Sequence, residues 1–115
     1  MKFTNEQMFQ NIIAMHGLHE TGRLGYAIAR NLRKMTDAAK EYLDIRERVL
    51  SKYGTDQGDG RYLVLQENAD AFRNELNEYA TIEHDVDVFH VTENEFVSGN
   101  MDSEQMFMLD WMVGE

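Results

Sequence analysis

The sequence predicts an α-rich α+β domain, in which shorter helices pack on one long helix and a small sheet of two or three strands lies at one end. Three observations carry this prediction: an apolar repeat at helical spacing between residues 24 and 53, an Asp- and Gly-rich turn at residues 55–60, and alternation at residues 82–91. The chain has 115 residues, near the usual size of one domain, and no proline-rich or low-complexity linker. We therefore expect residues 1–115 to form a single domain.

The first helix begins after Thr4, because Thr4 and Gln7 have the spacing of a capping box. Phe3 and Met8 flank this cap at the two positions where a hydrophobic staple forms. An apolar stripe at helical spacing follows as far as Met15. Three glycines then interrupt the pattern, which predicts a turn or a frayed link over residues 16–25.

The longest predicted helix runs from Leu24 to Tyr53, and its apolar residues step by alternating four and three positions. This heptad seam, which favours coiled-coil packing, consists of Ile28, Leu32, Met35, Ala39, Tyr42, Arg46, Val49 and Tyr53. A second helix, predicted over Ala69–Tyr79 with Asn68 as its cap, covers less than half of the seam. Two alternatives complete the packing: the N-terminal helix lies alongside, or residues 28–53 pair with a second copy in a homodimer.

Turn and strand signals follow the long helix. Gly54 ends it, residues 55–60 form a hairpin-type turn, and Tyr62 to Leu65 is a short β-rich run. From Ile82 to Val91 the pattern alternates as in a strand. Its acidic side chains share one face: Glu83, Asp85 and Asp87.

The last predicted helix, Ser103 to Val113, opens at Asn100 or Asp102 and is apolar on more than one face. Four of the eight Met fall between residues 101 and 112, beside Phe107 and the only Trp, Trp111. Such a helix is either clamped between other elements or offers Met and aromatic contacts to another protein.

Charge is distributed unevenly along the chain. Residues 1–65 carry a net charge of +2, residues 66–115 carry −12, and the whole chain carries −10. An acidic chain is unsuited to gripping nucleic-acid phosphates, so we expect no direct nucleic-acid binding. The uneven charge is typical either of a solvated face or of an acidic patch that engages a basic groove on a partner.

Motifs for catalysis and metal binding are missing from the sequence. It has no Cys, no phosphate-binding loop and no nucleophile elbow, and His16 and His19 lack the spacing of a zinc motif. A single row of carboxylates on one strand does not converge on an ion. We therefore expect no enzyme, no metal and no cofactor. No apolar run is long enough for a membrane span, which predicts a cytoplasmic protein without a membrane partner.

The order of motifs resembles an uncharacterised family of small proteins from phages and prophages of Gram-positive bacteria. The likeness rests on the start Lys2–Asn5, the helix ending Arg46–Gly54, the Asp/Gly turn, the stretch Phe72–Asn77, and the acidic strand followed by a short helix. The resemblance implies a phage or prophage setting, and it implies no activity and no site residues.

These observations together predict non-enzymatic protein binding. In a phage setting, an acidic surface suits an inhibitor that occupies the basic groove of a host nucleic-acid-handling or defence complex, such as CRISPR, in the host cytoplasm. The residues expected to contact the partner are Glu83, Asp85, Asp87, Glu93, Glu95, Phe107 and Trp111. The alternative is a phage structural or assembly protein that forms homo-oligomers.

Overall fold

The computed structural model describes residues 1–114, and it confirms the α-rich α+β fold class. Helices pack along a body of 47 × 28 × 21 Å. Two separate antiparallel sheets of two strands replace the single sheet expected: the first strand pairs with the fourth, and the second with the third. In chain order the elements are β1 (Lys2–Thr4), α1 (Asn5–His16), α2 (Gly22–Ala38), α3 (Lys40–Tyr53), β2 (Gly54–Asp56), β3 (Tyr62–Val64), α4 (Gln66–Ala80), β4 (Glu83–Asp85), α5 (Glu93–Val97), α6 (Ser103–Met108) and a 3₁₀ turn (Asp110–Met112).

The start of α1 confirms the sequence prediction. The Thr4 side chain accepts from the Gln7 backbone N–H, and the Gln7 side chain accepts from the Thr4 N–H, which completes the capping box. Phe3 and Met8 are both buried in the main core, as a hydrophobic staple requires. The cap therefore fixes where β1 gives way to the helix.

The predicted link over residues 16–25 is wrong in its second half, because α2 already begins at Gly22. Gly22 has φ +65°, a conformation that favours glycine, and it lies just after the N-cap Thr21. A Cβ at Gly25 would collide with the carbonyl oxygen of Glu20. The glycines thus allow a tight entry into the helix.

The prediction of one unbroken helix from Leu24 to Tyr53 is also wrong. The chain bends at Ala39, which has φ −95° and ψ 6°, although the bonds from Ala39 N–H to Met35 O and from Leu43 N–H to Ala39 O persist. Ala39 belongs to the main core, whereas Tyr42 packs in a second cluster with Leu76. The bend therefore lies between the part of the seam that packs in the main core and the part that packs in the second cluster.

Other elements of the same chain bury most of the heptad seam. Ile28, Met35, Ala39, Tyr42 and Val49 are all buried. Helix α1 packs along α2, while α4 packs along α3. This arrangement matches the alternative in which the N-terminal helix lies alongside, and pairing of residues 28–53 with a second copy stays a prediction.

Helix α4 is longer than predicted, because it begins at Gln66 and not after Asn68. The N-cap residue is Leu65, which supplies no capping side chain. Asn68 instead donates from Nδ2 to Tyr53 O at 3.2 Å, so it ties the first turn of α4 to the end of α3.

The strand predicted from Ile82 to Val91 is paired at β4 and again, by a single bridge, at Val91. Between these points side chains from α2 take the place of a partner strand. Asn31 is fully buried; its Nδ2 donates to Phe89 O at 2.9 Å and its Oδ1 accepts from Phe89 N–H at 2.7 Å. Lys34 Nζ donates to Asp87 O at 2.7 Å. The segment then forms a parallel bridge between Val91 and Val113.

The C-terminal part differs from the single helix predicted over Ser103–Val113. Helix α6 ends at Met108 and the 3₁₀ turn follows Leu109. Asp102, not Asn100, is the N-cap, and its capping box with Gln105 is complete. Helix α5 was not predicted.

Replacement of Asn31 by Leu is expected to lower the free energy of unfolding by about 3 kcal/mol, because both backbone groups of Phe89 lose their partner inside the protein. Urea denaturation measures the change. The control Asn74→Leu, at an exposed position of α4, should stay within about 0.5 kcal/mol of the wild type. A wild-type midpoint for Asn31→Leu would contradict this role of Asn31.

Tyr42 links α3 to α1 across the second cluster. Its hydroxyl donates to Glu6 Oε2 at 2.7 Å, and the Arg46 guanidinium lies 3.5 Å from the same oxygen. Burial, followed by the hydrogen bond to Glu6, raises the pKa of Tyr42 to about 12. The folded state therefore favours the neutral phenol.

The raised pKa gives a testable alkaline titration. A folded pKa above the unfolded value of 10.0 means that the stabilisation is complete below pH 10 and is lost as the pH rises towards 12. Ultraviolet difference absorbance should show one phenol that titrates after the others, and Tyr42→Phe should remove it. Glu6→Gln should lower this pKa without restoring the ordinary value, since burial persists.

Candidate protein-binding surface

The acidic face expected on the fourth strand is present and exposed. Glu83 and Asp85 lie in β4, opposite Thr4 and Lys2 of β1, and Asp87 follows two residues later. All three carboxylates are exposed, while Val86 between them is buried. The alternation predicted for Ile82–Val91 therefore holds for exposure over residues 83–88, but not at Ile82, which is 47% exposed.

Cations from the N-terminal half of the chain contact three of the five predicted carboxylates. The Met1 ammonium lies 2.8 Å from Asp85 Oδ1, Lys34 Nζ lies 3.5 Å from Asp87 Oδ2, and Arg23 Nε lies 3.1 Å from Glu95 Oε2. Such exposed pairs contribute little stability, but they reduce the negative potential that a partner meets. The acidic face is weaker than the sequence suggested.

Two pKa values reflect these local contacts. The hydrogen bond from the Met1 ammonium, aided by its charge, lowers the pKa of Asp85. The Thr92 backbone N–H does most to lower the pKa of Glu95, and the Thr92 hydroxyl and Arg23 add to it. The main contact of the Glu95 side chain is therefore local: it accepts from the backbone N–H of the N-cap Thr92 and so completes the capping box of α5.

A groove between α5, α6 and the 3₁₀ turn holds two of the other predicted residues. It encloses about 470 Å³. Phe107 is 85% exposed and Val97 is 54% exposed. Glu93 and Asp110 line the groove as well, and within residues 1–114 neither has a Lys or Arg nitrogen within 4 Å. The apolar lining consists of Phe96, Val97, Met106, Phe107 and Val113.

Local sequence explains why this groove stays open. Helices α5 and α6 have five and six residues, and each begins at a capping box. Helices this short bury few side chains: Phe96 is the buried residue of α5, and no residue of α6 is fully buried. Val97, Met106 and Phe107 line the groove instead, whereas Met108 lines the separate cavity beside α1.

Trp111 lies elsewhere. Its ring meets the ring of Phe3 edge to face, with the centroids 5.3 Å apart, and it lines a separate cavity of about 280 Å³ beside α1. The structure therefore brings Glu93 and Phe107 together and leaves Trp111 on another side of the C-terminal segment. Sequence reasoning missed Val97, Met106 and Asp110; the spacing of Thr92 and Glu95, typical of a capping box, was the available signal for α5.

Comparisons with known protein families, with curated proteins and with solved structures find no match for this chain. Over residues 1–114, no helix combines the length and apolar character needed to cross a bilayer. Within the same range, no group of three or more His, Asp or Glu side chains is arranged to hold a metal ion.

Acetylation of the Met1 amine should raise the pKa of Asp85 towards its ordinary value, because acetylation removes the positive charge that lowers it. Carboxyl titration by NMR measures this pKa. The pKa of Glu95 serves as the internal control: it should stay lowered, since its causes are Thr92 and Arg23. A pKa of Asp85 that does not change on acetylation would show that the ammonium contact is absent in solution.

Proposed function

We propose that the chain is a non-enzymatic binding protein, and that the groove between α5 and α6 receives an apolar, cationic segment of a partner protein. One observation carries the proposal: an aromatic side chain, Phe107, is 85% exposed at a groove that also contains two carboxylates without an ion pair among residues 1–114. Buried aromatic anchors supply much of the energy of protein interfaces. An exposed Phe gains that energy only when a partner covers it.

The two carboxylates favour a cationic partner over a second copy of the chain. Two copies that met groove to groove would place Glu93 and Asp110 of one copy close to the same residues of the other, and like charges brought together cost free energy. A segment that carries Lys or Arg around an apolar side chain would pair with the two carboxylates and cover the apolar lining of the groove. The homo-oligomeric assembly role is for this reason the weaker alternative.

In the phage setting implied by the resemblance, such a protein acts as an inhibitor in the host cytoplasm. It occupies a basic surface of a nucleic-acid-handling complex, such as a CRISPR effector, and blocks that surface by bulk and by charge. Glu83 and Glu93 extend the acidic contact, because within residues 1–114 neither forms an ion pair. Asp85, Asp87 and Glu95 contribute less, since each already has a cationic partner.

The binding test uses a synthetic amphipathic helix of Lys and Leu, about 18 residues or five turns long. We expect Phe107→Ser to weaken its binding at least about tenfold while the free energy of unfolding changes by less than about 0.5 kcal/mol. Glu93→Gln combined with Asp110→Asn should weaken binding and flatten its dependence on salt. Fluorescence anisotropy of the labelled peptide measures both effects.

Two controls make this result specific to the groove. Leu63→Ser removes an exposed apolar side chain of β3 and should leave binding unchanged. A Glu and Leu peptide of equal length should not bind. Equal binding of the Lys and Leu peptide to the wild type and to Phe107→Ser would show that the groove is not the binding surface.

The inhibitor role has its own test. Added to a purified CRISPR effector of a Gram-positive host, the wild type should reduce DNA cleavage, and Phe107→Ser should restore it. Cleavage that stays unaffected by the wild type would contradict the inhibitor role for that effector and leave the peptide result standing.

A further inference from the structure

Helix α2 carries a basic face on this otherwise acidic protein. Its residues include four Arg and Lys but only one Asp. Tyr26, Ala29, Arg30, Arg33 and Lys34 follow one another at helical spacing and line a cleft of about 340 Å³. All five residues belong to one helix, so the cleft is a groove between their side chains that is open to solvent.

The fold leaves the two central cations of this cleft without acidic partners. Within residues 1–114, neither Arg30 nor Arg33 has a carboxylate oxygen within 4 Å, although the chain contains 21 Asp and Glu. Like charges three and four positions apart on a helix repel each other. An anion bound between Arg30, Arg33 and Lys34 would relieve that repulsion.

Lys34 at the end of the cleft has other contacts. Its ammonium donates to Asp87 O at 2.7 Å and lies 3.5 Å from Asp87 Oδ2. Asp37 and Asp85 lie beyond it, around the neighbouring cavity. The strongest positive potential is therefore expected at Arg30 and Arg33, where the anion would bind.

An aromatic ring lies at the opposite end of the cleft. Tyr26 is 53% exposed, and its ring meets the ring of Phe89 edge to face with the centroids 5.2 Å apart. Asn31 holds the backbone of Phe89, so the support of Tyr26 is fixed. Ala29 adds little bulk between the ring and the arginines.

We propose that this cleft binds a phosphate group attached to a planar ring, the chemistry of a nucleotide. A phosphate monoester carries a charge of about −1.5 to −2 at pH 7, and its oxygens suit the paired donors of arginine. An exposed aromatic ring suits stacking of a base. The source is either a free nucleotide or the end of a nucleic-acid strand, and the two share this chemistry.

The test compares four probes by calorimetry at low salt: adenosine monophosphate, ribose 5-phosphate, adenosine, and a short adenine oligonucleotide with a 5′-phosphate. Adenosine monophosphate should bind saturably, ribose 5-phosphate about fivefold more weakly, and adenosine barely. An oligonucleotide that binds more tightly than the mononucleotide, with a steeper dependence on salt, identifies a strand as the source. Equal affinity identifies a free nucleotide.

Variants locate the site. Arg30→Gln with Arg33→Gln should weaken binding of the mononucleotide at least about tenfold, as expected when two charge-assisted contacts are lost. Tyr26→Leu should reduce its affinity to that of ribose 5-phosphate. Arg48→Gln, at an exposed arginine of α3 without an ion pair in residues 1–114, should bind as the wild type does. Circular dichroism confirms that each variant is folded.

No saturable binding of adenosine monophosphate, or equal binding by the double variant and the wild type, would overturn the proposal. Neither result bears on the groove between α5 and α6, because Phe107 and the cleft on α2 lie on different elements.

Discussion

The buried amide of Asn31 is the contact on which the rest of this structure depends. It satisfies both backbone groups of Phe89, in a segment that has no partner strand at that point. A buried backbone group without a partner costs free energy, so the path of residues 86–91 over α2 requires this side chain. The ring of Phe89 then contacts Tyr26 and lies under the guanidinium of Arg23. Arg23 in turn pairs with Glu95 of α5, so one amide supports both the basic cleft and one side of the acidic groove.

The uneven charge of the sequence also affects how the two parts of the chain pack against each other. Within the described residues 1–114, four ion pairs join a cation of the first 65 residues to a carboxylate from residue 66 onward, at Asp85, Asp87, Glu95 and Glu75. Opposite charges on the two parts of the chain thus favour their packing, as well as any contact with a partner. The excess of ten negative charges is not removed by these pairs, but the free carboxylates are fewer than the sequence alone implied.

Local signals predicted the parts of the fold that local interactions form. The cap at Thr4, the end of α3 before Gly54 and the hairpin after it each depend on neighbouring residues. The bend at Ala39 depends on which cluster each side of the helix meets, and the loss of strand pairing after Asp85 depends on Asn31. Likewise, the apolar composition of the last helix could not separate Phe107, which is exposed, from Trp111, which packs on Phe3. Contacts between residues far apart in the sequence determine the bend, the end of strand pairing and the exposure of these two aromatic side chains.

The two proposed surfaces have opposite charges, and a single kind of partner has both complements. A complex of a basic protein with nucleic acid offers cationic, apolar segments to the groove with Phe107 and phosphates to the cleft with Arg30. Each surface alone is small, so neither would give high affinity by area. Two weak contacts on one chain reinforce each other when their spacing matches the partner, because the second contact forms at high effective concentration. Taken together, the two proposals point to a nucleoprotein as the partner, which departs from the expectation of no nucleic-acid contact that the net charge alone suggested.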